Sequence, residues 1–124
     1  MEMVISFPGG KRVDAAFGDT VIKTDQPSAE GGDDSAPTPF ALFLASMGTC
    51  AGIYVLGFCQ QRELPTDNIR IRQSLEADPL THMIKQINLD IELPPDFPEK
   101  YAAAVVKAAQ LLSLIHILRC RRRG

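Results

Sequence analysis

An uncharged apolar stretch of unusual length dominates this chain and decides which folds are open to it. It runs from Pro39 to Arg62, and no charged residue occurs between Asp34 and Arg62. Apolar side chains recur in it at spacings of three and four, which is typical of a helix face. These residues are Phe40, Phe43, Leu44, Met47, Ala51, Tyr54, Val55 and Phe58. Apolar residues also fill the other sides, so we expect a helix that is central to a domain or inside a membrane.

The membrane alternative rests on the length and the glycines of this stretch. About 20 apolar residues suffice to span a bilayer, and Gly48-x-x-x-Gly52 is a helix-packing motif in membranes. However, the flanking segments alternate as soluble strands do, and no stop-transfer pattern of charges surrounds the stretch. Glycines also let a second helix approach within a soluble core. We therefore favour a soluble protein and expect no membrane partner.

Short alternating segments lie on both sides of the predicted helix. Residues 1–25 read as an antiparallel meander of three strands, with turns at Pro8-Gly9-Gly10 and at Gly18-Asp19. Residues 26–37 form a loop by composition, and a loop of this length is either mobile or lines a site. It leads directly into the helix.

The second half of the chain repeats the order of strands and then helix. The segments 69–75 and 87–93 alternate, and a hairpin at Asp78–His82 joins them. We expect adjacent antiparallel strands, with Ile87, Leu89, Ile91 and Leu93 on one face. A second helix begins at Pro98-Glu99-Lys100, with Tyr101, Val105, Ala108 and Leu112 on one side. The order predicts an α+β fold: an antiparallel sheet with a long central apolar helix and a C-terminal helix, both on one side.

Length, charge and cysteine content narrow the function classes. A chain of 124 residues predicts one domain, small enough that dimerisation would help its stability. A formal net charge of −2 argues against a nucleic-acid partner. We read no signal peptide and expect a cytoplasmic protein. No CxxC or histidine cluster occurs, so we expect no metal and no cofactor, and His82 is expected to be a solvated turn residue.

Two of the three cysteines lie in the predicted central helix. Cys50 and Cys59 are nine residues apart, half a turn out of phase, so they point to opposite sides and cannot bond each other. A free cysteine is ordinarily a small buried hydrophobe, which is our prediction for Cys59. Taken on the residues alone, the same interpretation is open for Cys50.

The last thirteen residues do not continue the pattern before them. An apolar piece is followed by a basic block, and Leu112–Ile117 resembles the translation of a transposon adapter used in sequencing libraries. We predict a domain over 1–111, C-terminally truncated, and a non-native tail over 112–124. The alternative is a genuine basic tail that binds acidic partners.

The stretch APTPFALFLASMGTCAGIYVLGFCQQR resembles the OsmC/Ohr family of thiol-dependent peroxidases and their uncharacterised relatives. The resemblance rests on Pro39, the apolar helix, and the small pair Gly48-Thr49 followed by Cys50. The motifs TDQP at 24–27, Gly31-Gly32 and Ala36-Pro37 fit an uncharacterised branch of these relatives. The resemblance implies an intertwined homodimer with its reactive site at the subunit interface.

The resemblance also implies a set of site residues, some of which this chain lacks. The first cysteine maps onto Cys50, and the activating arginine onto Arg12, with Lys11 as the neighbouring option. The family's glutamate would fall at Phe40 and its second cysteine at Leu112, so both groups are missing. On a continued helix Cys120 would lie roughly 12 Å beyond Leu112, too far to replace that cysteine. We expect Cys50 and Arg12 to be the catalytic residues.

The expected chemistry is reduction of organic hydroperoxides with a thiol reductant. The thiolate is the reactive form of cysteine, and a helix dipole has faded by the third turn, where Cys50 lies. A cation is therefore needed, and only Lys11, Arg12 and Lys23 precede the helix. Two alternatives stay open: a redox-silent relative that binds or senses a small apolar ligand, and Lys11-Arg12 as no more than a solvated turn.

Overall fold

The structure is a computed structural model that describes residues 1–110 and 118–123. Across these residues it combines strands and helices in an α+β fold, as expected. The strands are β1 (Val4–Gly9), β2 (Arg12–Phe17), β3 (Thr20–Thr24), β4 (Arg70–Ala77), β5 (Ile84–Glu92) and β6 (Leu118–Arg123), and the helices are α1 (Pro39–Gln61) and α2 (Ala102–Ala109). The chain forms two compact units, Met1–Ala45 and Ser46–Gly124, with their boundary inside α1. Each unit is described by itself.

The first unit contains the expected antiparallel meander in the order β1-β2-β3. Val4 pairs with Ala16 across the first two strands, and Val13 pairs with Thr24 across the next two. Gly10 and Gly18 turn the chain with φ angles of 59° and 54°, a region that glycine enters without steric cost. Local turn chemistry therefore accounts for both turns of this sheet.

Helix α1 begins and ends at identifiable capping groups. The hydroxyl oxygen of Thr38 accepts a hydrogen bond from the backbone N–H of Ala41 at 3.1 Å, which is N-cap geometry with Pro39 in the first turn. At the other end the backbone N–H of Leu64 donates to the carbonyl of Cys59 at 2.8 Å. Glu63 there adopts a left-handed φ of 54°, as the residue after a helix often does.

The second unit contains a three-stranded sheet in the order β4-β5-β6. Strands β4 and β5 are antiparallel, with Ile71 opposite Ile91 and Leu75 opposite Ile87, which confirms the expected pairing. Strand β6 runs parallel to β5 and places Cys120 opposite Leu89. The sheet is therefore mixed, and its third strand comes from the segment for which the sequence predicted no strand.

One stripe of α1 contributes to the core of the second unit. Met47, Ala51, Val55 and Cys59 are buried along it, as are the alternate residues Ile87, Leu89 and Ile91 of β5. Gly48 and Gly52 of α1 face strand β4 rather than a second helix: a Cβ atom added at Gly48 would collide with the side-chain oxygen of Gln73, and one at Gly52 would lie 3.9 Å from Ile71. The expectation that these glycines admit another helix is therefore corrected.

The C-terminal helix is shorter than the sequence suggested. A single 3₁₀ turn, Glu99–Tyr101, precedes α2, whose buried residues are Ala102, Val105 and Ala109. Ala108 is only half-buried, and Leu112 lies outside the described residues. Because α2 ends at Ala109 and Cys120 belongs to a strand, the distance argument from a continued helix does not apply to Cys120.

The arginines of β6 form ion pairs within the same unit. The guanidinium of Arg121 donates two hydrogen bonds to Asp90, one to each carboxylate oxygen. The guanidinium of Arg122 donates two hydrogen bonds to the carboxylate of Glu99, at 2.7 and 3.1 Å. The contact with Arg121 holds the pKa of Asp90 below its usual value, although burial opposes this. The basic block thus has acidic partners within the chain. The non-native origin of 112–124 stays a prediction.

Most of α1 outside its buried stripe is accessible. Phe40 and Phe43 in the first unit are 51% and 50% exposed, and Ile53 in the second is 64% exposed. By length and composition alone, the helix could cross a membrane, and 22% of its most apolar window is buried. The predicted long apolar helix is therefore present, and much of its apolar surface is exposed in a single copy of the chain.

Candidate active site

Arg12, the predicted activating cation, is the first residue of β2. Its guanidinium donates to a carboxylate oxygen of Asp33 at 3.0 Å, and the two side chains are 42% and 64% exposed. An exposed pair of this kind contributes about 0–1 kcal/mol to stability. Its importance is geometric, because it gives the guanidinium a defined direction.

The loop that carries Asp33 is built around a buried carboxylate. Asp25 is 0% exposed and accepts hydrogen bonds from the hydroxyl of Ser35 at 2.5 Å and from the backbone N–H groups of Gln26, Asp33 and Ser35. The Ser35 hydroxyl, followed by the Gln26 N–H, lowers the pKa of Asp25 to about 2. The loop is therefore held by one charged group in its interior.

Two glycines let this loop close on itself. Gly31 has a left-handed φ of 88°, and a Cβ atom on Gly32 would overlap the carbonyl group of Gln26. The backbone N–H of Gly32 donates to the carbonyl of Pro27 at 3.0 Å. The Gly31-Gly32 pair noted in the sequence thus has a steric reason.

A pocket of about 320 Å³ opens beside Arg12 in the first unit. It is lined by Pro8, Arg12, Asp14, Lys23, Thr24, Ser35 and Ala36. The loop of residues 26–37 contributes Ser35 and Ala36 to the wall of this pocket. This agrees with the expectation that the loop lines a site. Lys11, the other candidate cation, is an exposed turn residue and is not among the lining residues.

Asp25 should account for part of the free energy of unfolding that the protein loses in acid. Its pKa is lower in the folded protein than the ordinary 3.8, so the ionised group stabilises the fold above pH 3.8, and this contribution disappears as the pH falls toward 2. We expect wild type to exceed Asp25→Asn in free energy of unfolding above pH 3.8, and the gap to shrink toward pH 2. Urea titrations at several pH values measure it.

The Ser35→Ala variant serves as the matched control for this prediction. It keeps the Asp25 carboxylate but removes the hydroxyl that lowers its pKa most, so its pH dependence should be intermediate. A gap between wild type and Asp25→Asn that stays constant with pH would contradict the assignment.

Cys50, the predicted reactive cysteine, lies in α1 about three turns from its start. It is half-buried and its thiol is free. The helical period places it on the same side as Ile53, Tyr54 and Gly57, of which Ile53 and Tyr54 are exposed. Cys50 belongs to the second unit and Arg12 to the first.

The other two cysteines are buried. Cys59 is 0% exposed and Cys120 is 6% exposed, which confirms Cys59 as a core residue. Burial raises the pKa of both thiols, with Arg62 partly opposing the effect at Cys59. Both therefore carry less thiolate at neutral pH than an ordinary cysteine does.

Differential alkylation tests which cysteine is reactive. Because Cys50 is more accessible and burial raises the pKa of Cys59, we expect Cys50 to be modified faster than Cys59. Iodoacetamide rates over a pH series in Cys50→Ser and Cys59→Ser variants give the comparison. Equal rates, or faster labelling of Cys59, would make Cys50 a core residue only.

Other residues noted in the sequence have structural surroundings of their own. Phe40, where the family's glutamate would fall, stacks on Phe43 with ring centroids 6.4 Å apart. His82 is an exposed turn residue with a left-handed φ of 61°, as expected. Among the described residues no group of three acidic, histidine or cysteine side chains could hold a metal.

Sequence reasoning missed the acidic residues of the first unit. The sequence pattern places Asp25 at the end of the meander and Asp33 in the loop and gives neither a role, whereas the structure makes Asp25 the anchor of the loop and Asp33 the partner of Arg12. The available signal was an aspartate at the end of a strand followed by a run of small residues, because such side chains bond nearby backbone N–H groups.

Comparison with known proteins places the chain in a family. The sequence model of the OsmC-like protein family matches residues 32–120, so the chain belongs to the OsmC-like family. No curated protein sequence matches it significantly.

Solved structures share the fold. A Psychrobacter arcticus protein assigned to osmotic stress induction and detoxification response is 14% identical with a TM-score of 0.75, covering 97% of this chain and 92% of its own. The organic hydroperoxide resistance protein OsmC of Legionella pneumophila is 17% identical, with a TM-score of 0.59 and coverages of 98% and 95%. OhrB of Bacillus subtilis, an organic hydroperoxide resistance protein, is 18% identical, with a TM-score of 0.58 and coverages of 99% and 98%.

Proposed function

We propose that this chain reduces organic hydroperoxides with a thiol reductant, using Cys50 as the peroxidatic cysteine and Arg12 as its activating cation. The observation that carries the proposal is the free, half-buried Cys50 inside the segment that matches the OsmC-like family. The names of the Legionella and Bacillus proteins of the same fold support the substrate class.

The proposed reaction needs no cofactor or metal. The Cys50 thiolate attacks one peroxide oxygen and breaks the O–O bond, which leaves a cysteine sulfenic acid and an alkoxide that takes a proton to become the alcohol. An external thiol condenses with the sulfenic acid and releases water, and a second thiol then frees Cys50 by exchange. The hydroperoxide is reduced, and two thiols are oxidised to a disulfide.

Consumption of hydroperoxide tests the proposal. Purified protein with dithiothreitol should consume cumene hydroperoxide faster than dithiothreitol alone, and should prefer it to hydrogen peroxide. Loss of the hydroperoxide is followed directly in solution. Consumption no faster than in the protein-free control would refute the enzyme.

A redox-silent protein that binds or senses a small apolar ligand is the second candidate. It is favoured by the apolar Phe40 at the position of the family's carboxylate, and by a pocket of about 260 Å³ between α1 and α2. Ile53, Tyr54 and Phe58 line this pocket, with the Arg62 guanidinium 3.7 Å from the centre of the Phe58 ring. Ligand binding without hydroperoxide consumption would identify this function.

We further propose a cytoplasmic homodimer, without a nucleic-acid or membrane partner, in which a second copy covers the exposed side of α1. Apolar side chains such as Phe43 and Ile53 are at least half exposed in one copy, and large exposed apolar patches mark interaction surfaces. Light scattering in detergent-free buffer at micromolar concentration should give the mass of a dimer. A monomer mass would contradict this proposal, and a requirement for detergent would favour the membrane alternative.

A further inference from the structure

We infer that Asp33 is the positioning residue for Arg12, with Asp25 as the anchor that fixes Asp33. This inference rests on the proposed role of Arg12. It assigns a function to two acidic residues that the reaction itself does not use.

The first step of the argument is the direct contact. Arg12 and Asp33 are 21 residues apart in sequence and meet at 3.0 Å. Both side chains are exposed enough that the pair adds little to stability. A pair without a large stabilising role still restricts the rotamers of a long arginine side chain, which otherwise has much conformational freedom.

The second step is the rigidity of the element that carries Asp33. The backbone N–H of Asp33 donates to a buried Asp25 carboxylate oxygen at 3.3 Å, and that same oxygen accepts from the backbone and the hydroxyl of Ser35. Hydrogen bonds to a charged acceptor are among the stronger ones. Asp33 therefore projects from a loop whose backbone is fixed on both sides of it.

The third step concerns the pocket. Arg12 and Ser35 both line the cavity of about 320 Å³, and both are held by this one network, Arg12 through Asp33 and Ser35 through Asp25. A group that must stabilise a charge is most effective when it is oriented before the reaction. The Asp25 network thus orients Arg12 and one wall of its pocket together.

Whether the loss of the Asp33 charge speeds or slows the alkylation of Cys50 distinguishes positioning of Arg12 from a simple charge effect. Removing a nearby negative charge should by itself lower the pKa of a thiol and speed its alkylation. If Asp33 instead holds Arg12 in its working position, Asp33→Asn should slow the alkylation of Cys50, as we also expect of Arg12→Gln.

The experiment measures the pH profile of Cys50 alkylation in the intact protein, with the modified peptide quantified by mass spectrometry. At neutral pH we expect Arg12→Gln and Asp33→Asn each to slow the reaction about threefold to tenfold, through a smaller fraction of Cys50 thiolate. The double variant should be no slower than Arg12→Gln, because the two residues act as one unit. Asp33→Glu should restore part of the rate.

The matched control is Asp19→Asn, which removes one negative charge from an exposed turn of the same unit and should leave the rate unchanged. If Arg12→Gln slows alkylation and Asp33→Asn does not, the inference is overturned and the proposed function stands. If Arg12→Gln itself has no effect, the proposed role of Arg12 fails and the inference fails with it. An equal effect of Asp19→Asn would also overturn the inference, because net charge would then explain the result.

Discussion

Replacing Cys50 with serine is expected to abolish hydroperoxide consumption. Serine has nearly the size of cysteine but is a far weaker nucleophile at neutral pH, so the half-buried site should keep its packing and lose its chemistry. We expect kcat/KM to fall at least about 100-fold, a modest figure for removal of a covalent nucleophile. The measurement is cumene hydroperoxide consumption with dithiothreitol in excess.

The control for this prediction is Cys59→Ala, which removes the other thiol of α1. Cys59 is fully buried, so this variant should lose some stability while keeping its activity per folded molecule. Circular dichroism would verify that both variants are folded. Undiminished activity in Cys50→Ser, or equal losses in the two variants, would exclude Cys50 as the peroxidatic residue.

Truncation of Leu89 to alanine should give the largest loss of stability among single substitutions in β5. Leu89 is 0% exposed on the central strand of its sheet, between Gln73 of β4 and Cys120 of β6. Leucine-to-alanine changes at such sites cost about 2–5 kcal/mol through lost transfer energy and the cavity that remains. Urea unfolding monitored by circular dichroism gives the free energy.

The chain offers a chemically identical control in Leu80→Ala. Leu80 is 89% exposed in the turn between β4 and β5, so its truncation should change the free energy of unfolding by no more than about 0.5 kcal/mol. Similar losses at the two positions would mean that β5 does not form the core of the second unit.

Alternation and turn residues were sufficient to predict the meander and the β4–β5 pair. Val13, Ala15 and Phe17 repeat with period two, and Gly18 marks the turn that follows them. In the same way Ile71 and Ile91 proved to be directly opposite each other. These features depend on neighbours within a few residues, so the local sequence contains the information needed to predict them.

Strand β6 and the length of α2 were not predictable in this way. The segment around Cys120 has basic residues on both sides of the alternation, so its own pattern contains no strand signal. It forms a strand where Asp90 and Glu99 neutralise its arginines and β5 offers a free edge. Tertiary pairing of this kind overrides local propensity.

The same distinction between local sequence and tertiary structure applies to the candidate site. The sequence by itself determined that α1 is a long apolar helix that contains Cys50, and that Cys59 points to the opposite side. It also determined that a basic residue follows the first turn. Periodicity and spacing along one element decide these points. Only the tertiary structure decided that Asp25 is buried as an anchor and that Asp33 reaches Arg12. The physical reason is that a carboxylate 21 residues from its cation has no sequence signature, because the loop's own hydrogen bonds bring the two together.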